Sequence, residues 1–173
     1  MGYTGFTVSK IEPLLVGLNN TVIDLGAQND YRGAVLPAPY ISEWYRRMGY
    51  DYRCIDLNGE NGAYKINLGV FDLWENKYEL LNHTPVSLIV DAGTSEHVGK
   101  DGRFDWGSIY NCWLWKHNLL MRGGIMYNEN PKTGNWPGHG FNYYSIEFYR
   151  ELERFSDYEI VDIGEHPAQH NPM

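Results

Sequence analysis

The chain has 173 residues, a formal net charge of −8 and 43% hydrophobic residues, which is the size and composition of one domain with a single substantial core. The acidic balance argues against a nucleic-acid partner. No apolar run approaches a membrane span and the first residues lack a signal-peptide pattern, so a soluble, cytoplasmic protein with no membrane partner is expected.

Ile11, Leu14, Leu15 and Leu18 recur at helical spacing, and Pro13 reads as a start signal, predicting a short helix over a sheet edge. Thr21-Val22-Ile23-Asp24-Leu25 then reads as a buried strand that ends at Gly26, followed by Ala27, Gln28 and Asn29. Asp24 stands near the strand end, where it can order the loop, and Gly26 would let bare backbone approach a ligand. Gln28 occupies the place of a second glycine, so this stretch alone reads equally well as an ordinary core strand and turn. After a polar loop over 29–38, Ile41, Trp44, Tyr45 and Met48 predict an amphipathic helix between Pro39 and Gly49. Residues 52–57 and 64–68 predict a second and a third strand. Their link, 58–63, is short enough that a hairpin competes with a parallel crossover.

Val70, Leu73, Trp74, Tyr78 and Leu81 suggest a short irregular helix, and 86–91 is a strong fourth strand. A loop over 98–106 precedes a helix over 107–121, and Gly123-Gly124 leads into a fifth strand over 125–128. The Gly/Pro loop over 129–142 is long for a compact domain, which makes it a candidate functional segment. A helix beginning near Ser145 and a last strand over 158–163 complete the pattern. The two cysteines, Cys54 and Cys112, have no metal-ligand spacing and read as buried free thiols of a reducing compartment. Strand and helix alternate throughout, predicting a single α/β domain with a doubly wound, mostly parallel, Rossmann-like sheet.

This order of motifs resembles the class I S-adenosylmethionine-dependent methyltransferases, in their small form with a reduced second helix. The residues that carry the resemblance are Val22-Ile23-Asp24-Leu25-Gly26-Ala27, Cys54-Ile55-Asp56-Leu57 and Leu88-Ile89-Val90-Asp91 with Ser95-Glu96-His97-Val98. Gly123-Gly124-Ile125-Met126, His139-Gly140-Phe141 and Tyr158-Glu159-Ile160-Val161 extend it, so that it covers about 20–163. The resemblance implies a parallel link between the second and third strands. It also implies a seventh, antiparallel strand, which is expected to be missing here. The edge at 158–163 is therefore expected to be covered by the tail or by a second subunit in a homodimer.

The implied activity is methyl transfer from S-adenosyl-L-methionine to a small-molecule substrate. Asp56, 30 residues after Gly26, is the best candidate for holding the ribose hydroxyls. Asp24, Gly26, Ala27, Gln28, Leu57, Asn67, Leu68, Gly93 and Thr94 complete the expected cofactor-binding set, with Asp72 competing with Asn67 for the adenine. His139, in the long loop, and the Glu96-His97 pair are the candidate catalytic residues, should the acceptor have to lose a proton. Residues 135–141 are expected to form a lid, with Trp136 excluding solvent. His83, His117, His166 and His170 have no partners at ligand spacing, and no metal is expected. Two alternatives remain: a non-catalytic binder of the same cofactor serving as scaffold or regulator, and a nicotinamide-dependent reductase, which the missing G-x-G-x-x-G disfavours.

Overall fold

Residues 21–25 and 86–92 are buried at every position, which is what a strand covered on both faces requires. The computed structural model describes residues 2–18, 21–30, 40–71 and 85–166. In chain order its elements are β1 (Gly2–Tyr3), α1 (Gly5–Leu15), β2 (Thr21–Leu25), β3 (Asn29–Asp30), α2 (Ile41–Arg47), β4 (Asp51–Asp56), β5 (Tyr64–Lys65), β6 (Val86–Ala92), α3 (Trp106–Leu119), β7 (Leu120–Glu129) and α4 (Ile146–Arg154). Five strands form one sheet in the order β5-β4-β2-β6-β7, every neighbour parallel, while β1 and β3 pair separately. This is a doubly wound, Rossmann-like α/β fold.

The two-residue strand period sorts the core into two layers. Val22, Tyr52, Cys54, Leu88 and Val90 face α1 and α2, packing with Ile11, Leu15, Ile41, Trp44 and Tyr45. Ile23, Leu25, Ile55, Val86 and Ile89 face the opposite way onto Cys112, Trp115 and Leu119 of α3. Both cysteines are free and buried.

The link between β4 and β5 is parallel, with Ile55 opposite Tyr64 and Asp56 opposite Lys65. So tight a crossover is reached through left-handed backbone at Gly59, Asn61 and Gly62. The hairpin is thereby excluded.

Several boundaries differ from those the sequence suggests. The first helix begins at Gly5, because Thr4 and Thr7 cap its first turn reciprocally, and Pro13 lies inside it near the end. The third strand stops at Lys65, and the fifth extends back to Leu120, directly out of α3. There the pairing with β6 slips from Val86–Leu120 to Leu88–Ile125, and the intervening residues bulge at Gly123, which has φ 78°. The helix expected over 70–81 falls largely outside the described residues.

The expected sixth strand is not formed. Ile160 N donates to the Glu153 carboxylate (2.7 Å) and Val161 is 77% exposed, so residues 158–163 have neither a strand partner nor an apolar surface. Among the described residues the outer strand on that side is β7, and the expected dimer edge at 158–163 loses its basis.

Candidate functional site

All five parallel strands deliver their carboxyl ends to one edge of the sheet. The strand order reverses there, with β4 on one side of β2 and β6 on the other. Loops leaving β2, β4, β6 and β7 therefore meet at a single edge, the usual ligand position in open α/β sheets.

On the β2–β4 side, Gly26 N donates to Ile55 O (2.7 Å) and Ala27 N to Asp56 Oδ2 (2.8 Å). Asp56 Oδ1 accepts from Asn58 N (3.1 Å), so this carboxylate orders both loops with one bond per oxygen. Gly26 needs to be glycine: its φ is 85°, and a Cβ would lie 2.4 Å from Thr94 Oγ1 and 2.9 Å from Gln28 Nε2. Gln28 Nε2 donates to Leu25 O (3.1 Å) and Thr94 Oγ1 (3.0 Å), and Thr94 Oγ1 donates to the same carbonyl (2.5 Å). Gln28 Oε1 is buried without a hydrogen-bond partner among the described residues. A cavity of about 180 Å³ opens beside Ala27 and Gln28, bordered also by Tyr40, Ser42 and Tyr52.

The other expected cofactor residues are placed differently. Asp24 is fully buried inside the sheet, accepting from Tyr52 Oη (3.1 Å), and burial pushes its carboxyl well above the usual range. Leu57 is 65% exposed and Leu68 is part of the α3-side core. Asn67 accepts from Gly69 N (2.9 Å), and Gly93 turns the chain with φ 79° ahead of Thr94. Asp72 lies outside the described residues.

The β6–β7 side gathers the three catalytic candidates. Glu96 is completely buried in the 3-10 turn Ser95–His97. Its Oε1 lies 3.6 Å from His139 Nε2 and 3.8 Å from His97 Nε2. Glu96 Oε1 and His139 Nε2 are both buried, and neither has a hydrogen-bond partner among the described residues. Burial, aided by the Asp91 charge, pushes the Glu96 carboxyl up to about 7. Burial also holds both imidazoles below their ordinary value, and for His139 the neighbouring His97 adds to this.

The long loop is fixed to this turn by backbone contacts. Phe141 N (2.7 Å) and Asn142 N (3.0 Å) both donate to Glu96 O. At Gly140 a Cβ would lie 2.7 Å from that same oxygen, so a glycine lets the loop touch the Ser95–His97 turn. Trp136 stacks on the His139 ring with centroids 3.5 Å apart and planes 10° from parallel.

The supporting residues were invisible to motif reading. Asn130 Nδ2 donates to Glu96 Oε2 (3.2 Å), and Tyr149 Oη in turn donates to Asn130 Oδ1 (3.0 Å). Asn142 Nδ2 donates to Ser95 O (3.0 Å) and Val98 O (2.6 Å). Isolated Asn and Tyr carry no sequence signal of such roles. Of the other histidines, His117 meets Tyr158 and His166 meets Glu129, both away from the cluster. No family model, curated protein or solved structure matches the chain.

Proposed function

We propose that the chain binds S-adenosylmethionine at the carboxyl edge of its sheet and transfers the methyl group to a small-molecule acceptor. The observation that carries this reading is the meeting of the 26–28 loop, Asp56 and the Glu96–His97 turn where the strand order reverses. The donor set suits a nucleoside bearing an amino-acid arm. Asp56 makes one bond per oxygen and retains lone pairs for two vicinal ribose hydroxyls. The orphaned Gln28 Oε1 is an acceptor for an amino group.

When bound, the sulfonium supplies an electrophilic methyl carbon, leaving the protein to align the acceptor and exclude water. Glu96, with its carboxyl near 7 and beside His139, is suited to take up an acceptor proton. Trp136, stacked on His139, shields that side from solvent. Thr94 and Gln28 fill the space over Gly26, so the cofactor would lie beside this loop rather than over it; the second reading is binding of the same cofactor without transfer.

Thermal denaturation with S-adenosylmethionine, its demethylated product and NADH tests the reading. A ligand at a hundredfold its Kd adds about 2.7 kcal/mol of stability. Both sulfur compounds should stabilise the protein and NADH should not, with the shift reduced in Asp56→Ala. Absence of any shift with the sulfur compounds would exclude both readings. A shift without transfer of labelled methyl to a metabolite pool would favour the second.

A further inference from the structure

We propose that Glu96, His97 and His139 bind a divalent first-row transition cation, with zinc as the reference case, through Glu96 Oε1 and one nitrogen of each imidazole. The proposal goes beyond the cofactor reading and rests on the cluster alone; with an ion bound, Glu96 serves as a ligand in place of its role as proton acceptor. One ligand atom from each of the three residues lies within 4.8 Å of the other two. A tetrahedral ion with bonds of about 2.0–2.1 Å holds its ligand atoms about 3.3 Å apart. The separations from Glu96 Oε1, 3.6 Å and 3.8 Å, are a few tenths of an ångström wider than that. The His97 side chain is 45% exposed and free to close the remaining gap by turning its ring.

The second observation is the pair of orphaned atoms. A fully buried carboxylate oxygen and a buried imidazole nitrogen face each other without hydrogen-bond partners among the described residues. Leaving such groups unsatisfied is costly, and native structures rarely do so without an unseen partner. A cation between them satisfies both at once.

The surroundings are those a bound cation needs. Asn130 engages Glu96 Oε2, which leaves Oε1 for the ion, and Tyr149 fixes Asn130 in turn. Trp136 holds the His139 ring plane. Two imidazoles and one carboxylate favour zinc, cobalt, nickel or iron over magnesium and calcium, which prefer all-oxygen sites. The half-exposed His97 marks the open side, where water or a substrate atom completes the coordination.

The sequence suggested no metal because His139 lies 43 residues after Glu96, outside any local ligand spacing. The Glu96 carbonyl clamp on Phe141 and Asn142, with the Asn142 side chain on Ser95 O and Val98 O, brings it back.

The test is calorimetric titration of the chelator-treated 173-residue chain with zinc chloride, and with cobalt(II) chloride followed by visible absorption. One ion per chain should bind, and cobalt should give the intense bands of a four- or five-coordinate nitrogen and oxygen site. His97→Ala and His139→Ala should each weaken binding on the order of tenfold or more. His117→Ala, outside the cluster, should bind like the wild type. His97 is half-exposed, so its variant should fold even if that of His139 does not; circular dichroism checks this. No stoichiometric binding to the wild type, or unchanged affinity in folded His97→Ala, would overturn the proposal. Neither result bears on the cofactor thermal shift.

Discussion

Lys116 Nζ lies 2.5 Å from Asp91 Oδ2, with both side chains completely buried between α3 and β6. The ammonium also donates to Asn128 Oδ1 (2.8 Å) and sits 4.0 Å over the Trp113 ring. Asp91 Oδ1 accepts from Thr94 N (3.2 Å) and Ser95 N (3.0 Å). A buried ion pair thus holds the turn that presents Glu96. Burial opposes ionisation of Asp91, yet Lys116 and the Ser95 hydrogen bonds bring its carboxyl below the ordinary value of 3.8.

Lys116→Met leaves the Asp91 charge buried and unpaired, and should cost about 3–5 kcal/mol in urea denaturation. The sign of the pH dependence follows from the depressed folded value. Asp91's contribution is full above its unfolded value and fades as pH falls through the lower, folded one. Wild-type stability should therefore drop in the acid range, and the gap between wild type and Lys116→Met should narrow there. A variant as stable as the wild type at pH 7 would show that the pair does not organise the turn.

Asp24 makes the opposite prediction. Burial raises its carboxyl, against the opposing influence of the Tyr3 and Tyr52 hydroxyls, and Oδ1 is without a hydrogen-bond partner among the described residues. A folded value above the unfolded one contributes stability that is full at low pH and lost as pH rises through the folded value. Asp24→Asn removes the charge while keeping an oxygen for the Tyr52 hydroxyl. The variant should melt above the wild type at pH 8, with the difference closing towards pH 4. Equal melting temperatures across that range would mean that Asp24 is not held neutral.

What the sequence made legible follows its periodicities. β2, β4, β6 and α3 have apolar spacing that matches their burial, and they fix the site edge, whereas α4 buries no residue fully and Phe155 is 76% exposed. Residues 158–163 have strand-like composition, but a strand exists only where a partner edge and an apolar face receive it. At the first helix, Pro13 drew attention from Thr4 and Thr7, the pair that caps the observed start. Glu96, His97 and His139 were legible as chemistry, one by one. Their meeting was not, because it depends on backbone contacts between the Ser95–His97 turn and residues 140–142. Asp24 is fully buried for a related reason: adjacency to the loop in sequence is not exposure to it when both faces of the strand are covered.

Gly140→Ala tests how closely the long loop must approach Glu96. The new methyl would lie 2.7 Å from Glu96 O and 2.9 Å from Glu96 Cγ, both part of a buried turn that cannot yield cheaply. Overpacking of this kind costs about 1–3 kcal/mol. The variant should lose zinc affinity more than tenfold while keeping a native circular dichroism spectrum. Normal affinity would indicate that the loop reaches Glu96 with room to spare.

The long loop is held more densely after His139 than before it, where Tyr143 Oη donates to Trp136 O (2.9 Å) and Trp136 stacks on His139, and this bears on how far it can act as a lid. Asn142 is 3% exposed, and its side chain donates to two carbonyls of the Glu96 turn. Together with the Phe141 and Asn142 amides it pins the segment after His139. Before His139 the chain passes through left-handed backbone at Gly134, Trp136 and Gly138, and Trp136 is 42% exposed. Any opening should therefore hinge over 134–138 and leave His139 beside Glu96. Hydrogen exchange should find the Phe141 and Asn142 amides among the slow ones and those of Gly134 and Gly138 among the fast. Asn142→Ala removes one donor from two buried carbonyls, a loss of about 1–3 kcal/mol. It should speed exchange at Phe141 by a factor of ten or more while leaving Gly138 unchanged. Uniformly fast exchange over 134–142 in the wild type would mean that the whole loop opens and that His139 meets Glu96 only part of the time.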